Sequence, residues 1–302
     1  MTNGGADRGL SKNQRREAAR EKARQLREEQ KKKDRRNKLL LQGGLIVVAL
    51  AIVAGIAVVI FTSIRPPAPG PANMLSDGIK IGQDYKAVTT AGLKPDQTPV
   101  PSETNDPDVI DIQIYLDYQC PICGQFEATN AEQIATWVKA GAATVEYHPI
   151  SILDRGSLGT KYSTRSANAA ACVANYSPDS FFDYNALLFT NQPEENTTGL
   201  PDEKLIDFAK QVDVKKLSSI TSCIKDQSFK SWVSAATNRA TTGPIPGADV
   251  ENVSSTPTVL INGKKYTGAV GDAAAFAAAV ASAAGQSFTQ ESTATPTPTP
   301  TP

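Results

Sequence analysis

Histidine is almost missing from this 302-residue chain: there is one, His148. Methionine is nearly as scarce, at two, and cysteine stops at four: Cys120, Cys123, Cys172 and Cys223. These scarcities narrow the chemistry. A structural zinc site needs two close cysteine pairs, or cysteines with histidines at ligand spacing. Here one close pair is followed by two cysteines far downstream. Two Met and one His also make a poor ligand set for a copper carrier. No metal and no separate cofactor is expected. Charge is missing as well, in one place: no Asp, Glu, Lys or Arg lies between Lys38 and Arg65.

The formal net charge of zero hides an asymmetry. Residues 1–38 hold 14 Lys/Arg against 6 Asp/Glu, a net of +8, leaving 17 against 25, a net of −8, for the rest. Between the two lies the apolar run LLLQGGLIVVALAIVAGIAVVIF, 23 residues from Leu39 to Phe61. About 20 such residues span a bilayer core as a helix. A cleaved signal peptide is the competing reading. Its apolar region runs about 7 to 15 residues behind a short basic segment, and both segments are longer here, with no clean A-x-A site after them. QRREAAR has twin arginines but lacks the apolar residues that usually follow them in a Tat signal. The expectation is a retained transmembrane helix over 39–61 in the lipid bilayer. The Lys/Arg excess then keeps residues 1–38 in the cytoplasm, and everything after Phe61 is extracytoplasmic.

The basic segment is rich in helix formers with opposite charges four apart, as in a solvated helical tail that fixes orientation. Contact with anionic lipid or ribosomal RNA is the sharper alternative. No aromatic side chains interleave its charges, so nothing there stacks on bases, and no nucleic-acid partner is expected. Residues 62–75, with RPPAPGPA, read as a stiff Pro-rich linker. Residues 288–302, ending ESTATPTPTPTP, read as a disordered Thr/Pro tail. The folded domain is expected over 76–287.

All four cysteines lie in the exterior part. An even count in an oxidising compartment favours disulfides. DVIDIQIYLDYQC alternates apolar residues and reads as a strand; PICGQFEATNAEQIATWVKAG reads as a helix. Pro121 suits its first turn, Phe126, Ile134, Trp137 and Val138 form an inward stripe, and Gly141 stops it. The dithiol therefore sits at a strand-to-helix junction. There, unpaired N–H groups and the positive helix end favour thiolate over thiol. Cys120 is expected to be exposed and Cys123 covered by the helix. A static staple is the bland alternative. So short a loop gains little chain entropy, which leaves a working dithiol as the better reading.

Downstream, ATVEYHPI reads as a second strand. SSTPTVLINGKKYTG follows much later: Pro257, a strand over 258–261, an Asn262–Gly263 turn and a strand over 264–267. A last helix starts at Asp272.

YLDYQCPICGQFE and TPTVLING, with a helix-rich stretch between them, resemble the DsbA-like thiol:disulfide oxidoreductases of the thioredoxin superfamily. The membrane-anchored actinobacterial members are the most similar kind, over about residues 76–285. The resemblance implies an α/β thioredoxin fold with an inserted helical domain, here preceded by one transmembrane helix. It implies Cys120 as the attacked and attacking sulfur and Cys123 as its resolving partner. Pro257 becomes a cis-proline facing the dithiol. Thr256, just before it, becomes a substrate-binding residue whose backbone pairs with an extended peptide. The implied function is the introduction of disulfides into exported cysteine-containing polypeptides. The implied reoxidant is a quinone-linked membrane partner, DsbB-like or vitamin K epoxide reductase-like. A reductase or isomerase with the same site, or a non-catalytic binding factor that borrows the fold, are the alternatives.

Two departures matter. The strongest oxidants of the family carry histidine inside the motif. Here Pro121 is followed by Ile122, which donates no side-chain hydrogen bond, so a less depressed Cys120 pKa is expected. Thioredoxins also bury an acid six residues before the first cysteine, where this chain has Ile114. Asp117 is the nearest acid; a solvated or turn-capping role is favoured over proton transfer to Cys123. His148 ends a strand before Pro149 and is expected at an edge or in packing.

Residues 161–242 read as five helical stretches, the inserted domain. Cys172 and Cys223 fall on apolar faces of two of them and are read as a structural disulfide. Free buried thiols and a redox-active pair are the alternatives.

Overall fold

The structure is a computed structural model and describes residues 12–63, 69–95 and 97–293. It divides into two units, Met1–Pro66 and Pro67–Pro302. In the first, helix α1 (Lys12–Ser63) runs unbroken through the basic segment and the apolar run. No glycine pair or charge change interrupts it, and Arg24 pairs with Glu28 one turn on, 3.7 Å apart and exposed. By length and composition, α1 is apolar enough to cross a membrane. The expected span 39–61 is thus part of a longer helix that reaches Ser63.

The second unit is built on a six-stranded sheet. Its strands are β1 (Ile79–Gly82), β2 (Lys86–Ala87), β3 (Ile110–Leu116), β4 (Ala143–Pro149), β5 (Thr258–Ile261) and β6 (Lys264–Lys265). Their spatial order is β2-β1-β4-β3-β5-β6. β3 and β4 run parallel, with Ile112 opposite Val145. β5 lies antiparallel on the other side of β3, with Tyr115 opposite Thr258. A parallel pair needs a crossover, and α2 (Pro121–Ala140) supplies it. Gly141 ends α2 in the left-handed region at φ 75° and donates back to the last turn.

Period-2 alternation along β3 sorts its side chains. Ile110, Ile112, Ile114 and Leu116 join Phe126, Ile134 and Val138 of α2 in the main core. Trp137 packs against that core without being fully buried. Helix α8 (Ala273–Thr293) lies against α2 through Phe276, edge-on to Phe126 at 5.3 Å. Tyr115 points the other way, into a smaller cluster with Ile150, Ile245, Val253 and Leu260. The β5–β6 hairpin turns through Asn262 and Gly263, both at positive φ, as a two-residue turn of the I′ kind requires.

The insert consists of α3 (Tyr162–Tyr176), α4 (Phe181–Thr190), α5 (Asp202–Gln211), α6 (Leu217–Lys225) and α7 (Lys230–Thr242). The chain thus has a thioredoxin-like α/β fold with a helical insert. α3 is its centre: Ala167, Ala169, Ala170, Ala171 and Ala174 are all fully buried. Small side chains let neighbouring helices approach it closely. A disulfide joins Cys172 of α3 to Cys223 of α6, Cα to Cα 5.9 Å, across 51 residues of chain.

Several expectations need correction. Residues 69–75 are not a free spacer. Gly70 N–H donates to the Leu93 carbonyl, Asn73 Nδ2 donates to the Ala174 carbonyl, and Met74 is fully buried. Polar Asn73 finds its partner in the insert, a tertiary contact that proline content does not reveal. Residues 64–68 lie outside the described residues. The Thr/Pro tail does not begin at 288, because α8 continues to Thr293. Nothing in TQEST breaks a helix before Pro296. Residues 294–302 lie outside the described residues. β6 ends at Lys265 rather than 267, although Tyr266 N–H still donates to the Val259 carbonyl. His148 is on no edge: β4 is an interior strand, and the imidazole stacks on Tyr115 with ring centres 4.2 Å apart.

Closing a loop of 51 residues removes denatured-state entropy equivalent to about 4 kcal/mol in the chain-entropy model. Replacing Cys172 and Cys223 together by alanine is expected to lower unfolding stability by about that amount. Denaturant titration checks this, and a loss below about 1 kcal/mol would remove the staple as a stabilising element.

Candidate active site

The turn from β3 into α2 is organised by Asp117. Its Oδ1 accepts the Gln119 N–H at 2.9 Å, and its backbone carbonyl accepts the Cys120 N–H at 2.9 Å. Its Oδ2 accepts the N–H groups of Ile152 and Leu153, at 2.9 and 3.0 Å, from the loop after β4. One side chain thus ties together the two loops at the end of the parallel pair. It caps a turn, as expected, but it is fully buried rather than solvated. Burial pushes its pKa up to about 6, against the pull of those hydrogen bonds.

Cys120 is the N-cap residue of α2 and Pro121 its first helical residue. Across the sheet, the Thr256–Pro257 peptide is cis. The Cys120 thiol donates to the Thr256 carbonyl, Sγ to O 3.2 Å. The expected exposed sulfur is therefore corrected: Cys120 is 5% exposed and Cys123 1%. The segment carrying Thr256 covers Cys120, a tertiary contact absent from helix geometry. Ile122, by contrast, is 48% exposed beside the pair. Both cysteines are free thiols, so the molecule is in its dithiol state.

Thr256, Pro257, Pro121 and Ile122 thus share one neighbourhood with Cys120 and Cys123. Cys172 and Cys223 are bonded to each other within the insert. His148 lies on β4, in contact with Tyr115 and 3.5 Å from the Glu146 carboxylate.

Two further groups were missed by the sequence reading. Gln192, just past α4, donates from Nε2 to the carbonyls of Tyr118 and Cys120, at 3.1 and 2.9 Å. No local pattern marks it, because its partner is 72 residues away. Glu127 is buried on α2, four residues after Cys123 and so on the same helix face. That spacing was a readable signal. Burial pushes the Glu127 pKa up to about 7, and Asn185 partly offsets it.

Residues 106–280, more than half of the chain, match the family model described as thioredoxin. This chain belongs to the thioredoxin family. Over 118 residues, 38% of the chain, it is 34% identical to the serine/threonine-protein kinase PknE of Mycobacterium tuberculosis. It spans only about a fifth of that protein, 20%. Among solved structures, it is similar to the reduced form of the disulfide bond oxidoreductase DsbG from Mycobacterium tuberculosis. That likeness has 26% identity and a TM-score of 0.51, covering 73% of this chain and 95% of the other. It shares the fold of oxidised BdbD from Bacillus subtilis at 18% identity and a TM-score of 0.52, over 73% and 100% of the two chains. The chain is thus a DsbA-like member of the thiol–disulfide oxidoreductase enzyme family, with Cys120–Cys123 as its CxxC pair.

In this thioredoxin-family site the two sulfurs are made unequal. The Cys120 pKa is lowered to about 6, chiefly by the hydrogen bond from the Cys123 thiol. Burial opposes this, while the Thr256 side chain and the backbone N–H groups of Cys123 and Ile122 add to it. Ile122 therefore acts on the thiolate through its backbone and not its side chain. The Thr256 carbonyl favours the thiol, since it only accepts. The donors outweigh it. Cys123 goes the other way: burial raises its pKa well above the ordinary thiol value, and the Cys120 charge raises it further. The charge therefore rests on Cys120.

The thiolate absorbance of the dithiol is expected to titrate with a midpoint at about 6. A midpoint near the ordinary 9.0 would contradict this assignment of charge. The depressed pKa carries a stability consequence of definite sign. The folded dithiol gains stability as pH rises from about 6 towards 9.0, where the unfolded thiol ionises, and loses it as pH falls through 6. Unfolding of the dithiol and disulfide forms is compared between pH 5 and 9, and the dithiol is expected to show the larger rise in stability with pH.

Proposed function

We propose that the chain is a membrane-anchored, extracytoplasmic oxidase that introduces disulfides into exported proteins. The arrangement that carries this reading is Cys120 at the N-terminus of α2 beside the buried Cys123, which lowers the Cys120 pKa and lets Cys123 keep its proton. A stabilised thiolate stabilises the dithiol, and a stable dithiol makes the corresponding disulfide a good oxidant. The apolar length of α1 supports the anchor, with residues 1–38 cytoplasmic by their Lys/Arg excess.

The reaction runs in two exchanges. A thiolate of the substrate polypeptide attacks Sγ of Cys120 in the Cys120–Cys123 disulfide. The Cys120–Cys123 bond breaks and Cys123 leaves with the electron pair, taking up a proton. A second substrate thiolate then attacks the substrate sulfur of the mixed disulfide. Cys120 leaves as the stabilised thiolate. The substrate has lost two electrons and the enzyme holds them as its dithiol. A quinone-linked membrane partner, DsbB-like or vitamin K epoxide reductase-like, removes them in the next cycle.

Thr256 is the substrate-binding residue in this account. Its carbonyl accepts the Cys120 thiol in the dithiol. In the disulfide that donor is gone, and the carbonyl accepts an N–H from an extended substrate strand. Pro257 shapes that segment, and Pro121 and Ile122 tune the dithiol. The Cys172–Cys223 disulfide has a structural role.

Equilibration of the full chain in glutathione buffers, with thiol trapping, tests the direction. The oxidase reading expects about −120 to −180 mV. A value of about −270 mV would place the chain with reductants of the thioredoxin kind and end that reading. Cys123→Ala is expected to accumulate mixed disulfides at Cys120 on non-reducing gels. For the anchor, an alkaline carbonate wash should leave the chain in the membrane pellet; release into the supernatant would refute it.

A further inference from the structure

The glycine after the motif, Gly124, sits in the first turns of α2. Glycine is unfavourable in a helix relative to alanine, so its presence there asks for a local reason. The Gln192 amide is that reason. A Cβ at residue 124 would lie 2.2 Å from Gln192 Oε1 and 3.1 Å from Cδ. The amide orientation is fixed by its partners. Nε2 faces the carbonyls of Tyr118 and Cys120, which only accept, so both amide hydrogens are used and Oε1 faces residue 124.

The other end of this link is equally well held. The Gln192 N–H donates to the Phe189 carbonyl at the end of α4. α4 is fixed to the same active-site turn through Tyr118: its hydroxyl donates to Asn185 Oδ1 at 2.9 Å, and its ring lies 5.1 Å from that of Phe189. The helical insert thus grips the backbone of the redox turn at residues 118 and 120, and Gln192 makes the contact on Cys120 itself. The gripped turn carries the N–H groups of Ile122 and Cys123.

We propose that Gln192 is a positioning residue that holds the first turn of α2 in register with the Cys120 sulfur, and that Gly124 is the space this clamp requires. The inference rests on Cys120 as the reacting sulfur. Without the clamp, the Tyr118 carbonyl loses its Gln192 donor, the Cys120 carbonyl keeps only the Gly124 N–H, and the turn relaxes. The N–H groups of residues 122 and 123 then hold the thiolate less well.

The test uses the full-length dithiol protein and four forms: wild type, Gln192→Met, Gly124→Ala and the double variant. Methionine keeps the length of glutamine without its donors. Two properties are read: the pH midpoint of the thiolate absorbance, and Tm. Gln192→Met is expected to raise the midpoint by at least about half a unit, roughly a threefold fall in the thiolate-to-thiol ratio at any given pH. Gly124→Ala is expected to raise it too, by displacing the amide. In the double variant, Gly124→Ala should add nothing to the midpoint, and its effect on Tm should change sign. It lowers Tm when Gln192 is present and raises Tm, as an ordinary helical alanine does, when Gln192 is gone. An unmoved midpoint in folded Gln192→Met, or midpoint shifts that add in the double variant, would overturn the clamp. If Gln192→Met does not fold, Gly124→Ala alone decides, because an unmoved midpoint there is equally fatal. Neither readout requires turnover. A reduction potential that ended the oxidase reading would therefore leave this result standing on its own.

Discussion

Tyr115 lies opposite Thr258 in the sheet, and the site depends on that register. It fixes where β3 ends against where β5 begins. The turn after β3 carries Cys120, and the turn before β5 carries Thr256 and the cis peptide to Pro257. A slip of one residue would turn every side chain of β5 to the other face. It would also take the Thr256 carbonyl away from the sulfur. The parallel partner β4 supplies the remaining constraint, since its following loop donates two N–H groups to Asp117. Three chain segments far apart in sequence thus meet at one turn, held by the Thr256 carbonyl and the Asp117 carboxylate.

Burial around that turn is heavy and polar. Asp117, Gln119, Glu127 and Asn130 are all buried close to the motif in sequence. A buried polar group is unfavourable unless paired, and most of these are. Asp117 takes three backbone donors, Gln119 donates to the Gly156 carbonyl, and Asn130 donates to the carbonyls of Phe126 and Val270. The effect is a rigid frame around a small reactive centre. Such a frame lets a few oriented N–H groups act on Cys120 at close range, in a medium that screens them poorly.

Much of this was legible in the chain before any coordinates. The alternation of Ile110, Ile112, Ile114 and Leu116 marked β3, Pro121 and Gly141 bracketed α2, and Asn262–Gly263 marked the hairpin. All are local signals, and local signals survive into the fold. What escaped is non-local. The cover over Cys120 comes from Thr256, more than a hundred residues on. Asn73 anchors its segment on Ala174, so a proline-rich stretch that reads as a linker packs instead. Gln192 lies past the end of a helix, where side chains carry no periodicity. The continuation of α8 to Thr293 is different in kind: the Thr/Pro composition of the tail points to disorder, but no breaker precedes Pro296.

The inequality of the two sulfurs has a kinetic side. A thiol attacks only after it gives up its proton, and burial makes Cys123 hold its proton tightly. Under the proposed oxidase function, a polypeptide joined to Cys120 would be expelled only when Cys123 gives up its proton, so a Cys123 held protonated by burial would lengthen the life of the joined state. The hidden thiol would then work as a delay.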